Sequence, residues 1–237
     1  MFAKAIKSTP VFNRPDLERV FSLPLKLCEK NLLHASEMVA LKNTLFEVVR
    51  DFGDVIEVRT KEYLVDYPLY VHRSFVEESN SIDRERSLPS KEAILNALLS
   101  FEGAAYVWGG NVSGGISELL DLYPPGKILS DLEKSIWQFQ GVDCSGLLYA
   151  ATAGFTERNT SMLFDFGETV SGDDFEPLDL LLWKGHVVIL LSDSETIESR
   201  AMRGVFRTPL KERLEQIRVE VGDAFVHKRW YPHYSSK

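Results

Sequence analysis

The chain holds two cysteines, Cys28 and Cys144, and one of them stands in a setting suited to chemistry. Cys144 lies in Gly141-Val142-Asp143-Cys144-Ser145-Gly146-Leu147-Leu148, and the pattern predicts a helix over 144–153 that Gly154 stops. A thiol attacks as its thiolate, and the unpaired N–H groups and dipole at a helix start favour that anion. Asp143 and Ser145 flank it, and either also suits a helix cap. A second residue, His186, heads the apolar run Val187-Val188-Ile189-Leu190-Leu191 just after Gly185. Alone it would read as an exposed strand-edge histidine; beside a cysteine it is the usual acceptor of the thiol proton. The third is Glu198, on the strand expected over 195–199 after a turn at Ser192-Asp193-Ser194. Neighbouring antiparallel strands would set it beside His186, where a carboxylate fixes the imidazole tautomer. The alternative is a surface glutamate paired with Arg200 or Arg203. Cys28, in Leu23-Pro24-Leu25-Lys26-Leu27-Cys28, reads as a small buried hydrophobe. Two cysteines make neither a disulfide framework nor a zinc site, so no metal and no cofactor is expected.

The elements that must position these residues fall into two regions. Over 37–77, short runs rich in Val, Ile, Phe and Tyr (38–41, 44–49, 55–60 and 69–76) alternate with turn-like breaks. They predict a small β-barrel domain over 1–85. Residues 78–86 are polar and aperiodic, and read as a linker. From Ser90, a helix cap, Ala93, Ile94, Ala97, Leu98 and Phe101 fall at helical spacing before Gly103. A second domain is expected over 86–237, with a helix over 209–217 and strand structure over 218–230. Residues 111–140, with Ser113-Gly114-Gly115, Pro124-Pro125-Gly126 and a possible helix over 131–139, read as a surface insertion in that domain.

Bulk properties narrow the partners. A length of 237 residues allows two modest domains. A net charge of -8 argues against nucleic acid, whose binding is driven by Lys and Arg meeting phosphates. It gives no help on anionic lipid either. The longest apolar runs, 180–183 and 187–191, fall far short of the roughly 20 residues a bilayer requires, so no membrane span is expected. Residues 1–15 lack an apolar signal core, so a cytoplasmic location is expected, with periplasmic or septal action left open.

Four motifs in order resemble the NlpC (NlpC/P60) family of cysteine peptidases: Tyr106-Val107-Trp108-Gly109-Gly110, Asp143-Cys144-Ser145-Gly146, Pro177-Leu178-Asp179-Leu180 and His186-Val187-Val188-Ile189. The likeness runs over roughly 88–214. It implies an α+β, papain-like fold in which a helix bearing Cys144 packs on an antiparallel sheet bearing His186 and Glu198. The strand-rich region resembles the bacterial SH3-like barrel that precedes such domains, helps wall the cleft and can restrict the enzyme to stems with a free N-terminal L-alanine. The implied activity is that of a monomeric endopeptidase on a peptidoglycan stem peptide or muropeptide, cutting between D-γ-glutamyl and a diamino acid. By motif position Tyr106, Asp143, Ser145 and, in Arg158-Asn159-Thr160, Thr160 would bind substrate. Departures are plain: the third catalytic position is commonly His, Asn or Gln and here is Glu198; Leu178 replaces a glycine; Leu163 replaces a glutamine; and 111–140 is longer than usual. An amidase or acyltransferase on the same scaffold, and a non-catalytic wall-binding or septal protein, are the alternatives.

Overall fold

The structure is a computed structural model that describes residues 1–28, 30–80 and 85–232. From the N-terminus the chain forms β1 (Phe2–Ala5), β2 (Thr9–Phe12), a one-turn helix α1 (Leu17–Val20), β3 (Ser36–Ala40), β4 (Leu45–Asp51), β5 (Val55–Arg59), β6 (Leu69–His72) and β7 (Val76–Ser79). Helix α2 (Lys91–Ser100) follows, then β8 (Asn111–Val112), α3 (Glu118–Leu122), α4 (Asp131–Trp137) and β9 (Gly141–Val142). The remainder is α5 (Cys144–Ala151), α6 (Thr160–Leu163), β10 (Glu168–Thr169), β11 (Leu180–Trp183), β12 (His186–Leu190), β13 (Glu195–Arg200), β14 (Gly204–Pro209), α7 (Leu210–Val221) and β15 (Val226–Arg229). These elements divide into two compact units, residues 1–86 with 105–143, and residues 87–104 with 144–237.

In the first unit seven antiparallel strands pair in the order β3-β2-β6-β5-β4-β1-β7. The four expected strand runs appear as β3, β4, β5 and β6 with the start of β7. Strands β1 and β2 are additions: each is four residues long, and β2 contains Pro10, which hides a strand from pattern reading. The expected linker is partly strand, since Glu78 and Ser79 pair with Ala3 and Phe2; residues 81–84 lie outside the described residues. Cys28 is half-buried in a turn, donating to Leu32 O and accepting from Asn31 N, rather than sunk in a core.

The expectation of a surface insertion is corrected. Ile116, Leu119, Ile136, Trp137 and Phe139 share one core with Phe12, Phe21, Leu33, Val39 and Phe75. Phe139 meets Phe12 edge-on at 5.9 Å, and Trp137 lies 5.4 Å from Phe21. Trp137 Nε1 donates to Tyr123 O at 3.1 Å, so the indole is both buried and satisfied. The physical cause is apolar burial, worth roughly 1.5–3 kcal/mol for each large side chain. Segment 105–143 therefore belongs with the first unit, and the expected boundary between 1–85 and 86–237 does not describe the packing.

Two glycines in this unit allow backbones to touch just ahead of Cys144. A Cβ on Gly110 would sit 2.5 Å from Gly141 O, and Gly141 itself has φ +155 with Ala105 O in the way of any side chain. Asp143 N donates to Gly110 O at 3.0 Å, and Asp143 Oδ2 accepts from Gly109 N at 2.9 Å. Gly110→Ala is expected to lower stability by about 2–3 kcal/mol in urea titrations, because neither backbone can yield. An unchanged midpoint would refute the close approach.

The second unit is a six-stranded antiparallel sheet in the order β10-β15-β11-β12-β13-β14. Leu181, Trp183, Val188 and Leu190 form one core with Leu210, Leu214 and Ile217 of α7. The alternate residues Leu180, Leu182, Val187, Ile189 and Ile197 are also fully buried, and α5 packs against β12, β13 and α2. A sheet covered on both faces reads as continuous apolar runs rather than alternation, which is why 180–183 and 187–191 look as they do. Helix α2 starts as expected, with Ser90 Oγ accepting from Ala93 N at 3.2 Å. Helix α5 ends two residues before the expected point; Ala153 and Gly154 adopt φ +50 and +76, and Gly154 N returns to Tyr149 O. The expectation of strand structure over 218–230 is corrected too. The helix runs on to Val221 because Glu220 pairs with Arg200 and Arg213, and only Val226–Arg229 is strand.

Asp179 anchors the start of β11. It accepts from His227 Nε2 at 2.8 Å and from Arg229 Nε and Nη2 at 3.1 and 2.9 Å. Burial alone would push its carboxyl up, yet these donors outweigh burial and hold it below the ordinary range. Leu178 just before it has φ +78. That left-handed backbone explains why a glycine suits this position. Leucine holds it at a cost on the order of 1–2 kcal/mol, offset by full burial and by Trp230 Nε1 donating to Leu178 O at 2.7 Å.

Candidate functional site

Cys144 is the first residue of α5 and is 6% exposed. Its Sγ lies 3.7 Å from Thr160 Oγ1 and 3.9 Å from Gly185 O. Gly185 belongs to the two-residue turn between Trp183 and His186, which pair across β11 and β12, and its φ of +83 is one that glycine adopts freely. The tight turn thus sets both a carbonyl and the head of β12 beside the thiol. His186 binds Glu198 Oε2 through Nε2 at 2.6 Å, and Cys144 lies near enough to raise the ring's proton affinity. With Nε2 engaged by the carboxylate, Nδ1 is the nitrogen left for the thiol.

The pairing of β12 with β13 shows how Glu198 reaches the ring. Ile189 faces Ile197 and Leu190 faces Thr196, so continuing that register sets Glu198 opposite Val188. His186 lies two positions further along the same strand face, and the contact is diagonal rather than side by side. The Trp183 ring, 4.8 Å from that of His186, covers the imidazole.

The sequence alternative of a surface Glu198 paired with Arg200 or Arg203 is corrected. Glu198 is 1% exposed and its cationic partner is Arg213 of α7, itself fully buried. Arg213 Nη2 donates to Glu198 Oε2 at 3.0 Å and Nε meets Oε1. Burial pushes the Glu198 carboxyl up, but His186 and Arg213 more than offset this and hold it below its usual value. For His186 burial opposes the charged ring; hydrogen bonds to Cys144 and Glu198, with their negative charges, prevail and raise its pKa to about 9.

The remaining sequence candidates divide between the units. Ser145 and Thr160 lie in the second unit, both buried. Ser145 Oγ accepts from Arg158 Nη1 at 3.1 Å. Asn159 caps α6 by accepting from Ser161 N, which places Thr160 at the first helical position, beside Cys144. Tyr106 and Asp143 belong to the first unit; Tyr106 is half-buried, and Asp143 binds backbone as described. Arg158 and Arg213 are the buried charges near this site that the sequence reading did not assign. For Arg213 a signal existed: Leu210, Arg213, Leu214 and Ile217 share the inward stripe of a helix, and a charge there must find a partner. Among the described residues no group of three or more His, Cys, Asp or Glu could hold a metal ion, and no helix is long and apolar enough to cross a membrane.

The chain matches no protein-family model and no curated protein by sequence. By structure it is similar to NlpC/P60 proteins. One is an NlpC/P60 family protein from Bacillus cereus, with TM-score 0.43 and 18% identity over 98% of this chain and 63% of that one. Another is the peptidoglycan hydrolase RipB from Mycobacterium tuberculosis, with TM-score 0.41 and 21% identity over 59% of this chain and 63% of that one. A third is RipD from the same organism, a non-catalytic NlpC/p60 domain protein, with TM-score 0.40 and 17% identity over 59% of this chain and 95% of that one. The chain thus spans 63% of the length of the first two. One of the three is named as a hydrolase and another as non-catalytic.

Proposed function

We propose that the chain is a cysteine peptidase acting on peptidoglycan stem peptides, at the bond between D-γ-glutamyl and a diamino acid. The observation that carries its catalytic part is the connected set Cys144, His186 and Glu198, with the thiol at a helix start and the imidazole held through Nε2 at 2.6 Å. The wall-peptide substrate rests on the resemblance of the four motifs to the NlpC family. In this reading residues 1–85 contribute an SH3-like barrel, and Tyr106, Asp143, Ser145 and Thr160 are the substrate-binding candidates.

His186 takes the thiol proton and Cys144 Sγ attacks the γ-glutamyl carbonyl carbon. The resulting oxyanion is met by the N–H of Cys144 at the helix start, an electrostatic contribution that grows as charge develops. His186 then gives its proton to the leaving amine and the C–N bond breaks. Water, deprotonated by the same ring, attacks the thioester and frees Sγ; one water is consumed per bond cut. Glu198 stabilises the imidazolium throughout and keeps the proton-accepting nitrogen toward sulfur.

The test is a digestion of L-Ala-γ-D-Glu-diaminopimelate and of intact muropeptide by the purified chain, read by product mass. The expected products are L-Ala-D-Glu and free diaminopimelate. Release of whole stems from the sugar would replace this reading with an amidase. Retention on peptidoglycan without any new mass would replace it with a binding protein.

A further inference from the structure

We infer that Arg213 is a positioning residue of the Cys144 site: by gripping Glu198 it keeps that side chain an anionic hydrogen-bond acceptor toward His186 Nε2. This rests on the reading of Cys144 and His186 as nucleophile and base. The grip is one hydrogen bond, Nη2 to Oε2 at 3.0 Å, backed by an ion-pair contact of Nε with Oε1 that is not aligned as a hydrogen bond, and it comes from a side chain with no exposed surface. A planar guanidinium aims separate N–H groups at separate acceptors in fixed directions, more specifically than an ammonium does. Its other edge is committed elsewhere: Nη1 donates to Glu220 Oε1 at 3.1 Å and to Gln216 Oε1 at 3.3 Å. Trp183 lies beneath the guanidinium, 5.5 Å from ring centre to Cζ, and also flanks His186. One ring therefore seats both the base and the cation that orients its partner.

The reason this matters is the direction of one hydrogen bond. While Glu198 is a carboxylate it can only accept, so Nε2 of His186 must carry the proton and Nδ1 is free to take one from sulfur. A protonated Glu198 would donate to Nε2, push the neutral ring's proton to Nδ1, and leave no base facing Cys144. Glu198 is almost wholly buried, and burial favours its neutral form. The charged groups around it are His186 from β12, Arg213 from α7, Arg200 on its own strand, and Glu220 from α7, which is shared between Arg200 and Arg213. Cys144 from α5 acts on it through His186. Removing Arg213 leaves Glu198 with His186 as its close cation and Glu220 paired with Arg200 alone. A merely structural Arg213 would hold α7 to the sheet and leave the proton count at His186 untouched.

The experiment is alkylation of Cys144 by iodoacetamide between pH 4 and 8, with the modified peptide identified by mass so that Cys28 is counted separately. In Arg213→Met the acid limb of the rate profile is expected to move up by at least about one pH unit, roughly a tenfold slower reaction near pH 5. Arg213→Lys, which keeps charge but loses the planar, directed donors, is expected to move it by about half as much. In a Glu198→Gln background the same Arg213→Met change is expected to shift nothing, since no proton remains to be gained there. A folded Arg213→Met protein with the wild-type profile, or an equal shift in the Glu198→Gln background, overturns the inference. If Arg213→Met does not fold, Arg213→Lys decides: a profile superimposable on wild type overturns it. No peptidoglycan enters this assay, so absence of muropeptide cleavage would sink the proposed function alone, and an unmoved limb would sink this inference alone.

Discussion

Cys144→Ala is expected to reduce cleavage of the γ-D-glutamyl peptide by a factor on the order of 10⁴ or more, in a protein that still folds and unfolds cooperatively. The magnitude follows from what the thiol does. It forms and later releases the covalent bond, and loss of a nucleophile leaves only the contribution of binding and oxyanion contacts. The fold should tolerate the change because alanine is a good helix former and Cys144 is the first residue of α5. Cys144→Ser is expected to be nearly as inactive, since a hydroxyl at this position lacks the acidity that lets His186 create an anion. Cleavage by the alanine variant within tenfold of wild type would remove Cys144 from the mechanism.

The second large effect is on stability against pH. His186 has a folded pKa raised to about 9, against an ordinary value of 6.5. Below pH 6.5 both folded and unfolded chains carry the proton, and the stabilisation is fully present. As pH rises from 6.5 the unfolded chain gives up its proton first, so stability falls steadily until pH passes about 9. The total is on the order of 3 kcal/mol. Urea titrations at intervals from pH 6 to 10 should show this fall, and His186→Gln should flatten it. The Cys144→Ala variant should show a shallower fall, because one of the two partners that raise the imidazole is gone. A wild-type profile as flat as that of His186→Gln would show that the ring is not held charged. Asp179 and Glu198, whose carboxyls are held low, titrate well below this window and contribute no slope to it.

The parts of the site legible in the sequence were those written in short-range signals. Gly154 marks the end of α5, Gly185 marks the turn before His186, and the Ser192–Ser194 turn places Glu198 on the adjacent strand. Local punctuation of this kind survives without knowledge of the fold. What was not legible was long-range. Residues 111–140 contain turn residues and glycines like any surface loop, and only the burial of Trp137 and Phe139 against Phe12 and Phe21 shows that they close a core. Strand β2 was masked by Pro10, and the last turn of α7 by a mixed charged sequence whose order depends on Arg200, across the sheet. Arg213 falls between these cases. Its place on the inward stripe of α7 announced a buried charge, but not that Glu198 would be the group to receive it.

The division of the chain has a consequence for inheritance. Each unit is assembled from two separated stretches, 1–86 with 105–143 and 87–104 with 144–237, so the backbone passes from one to the other three times, the last time at the peptide bond between Asp143 and Cys144. A gene cut after residue 86 would strip Phe12, Phe21 and Phe75 of the residues that shelter them and would free neither piece whole. Recombination therefore has no seam at residue 86 at which one half can be traded as a cassette.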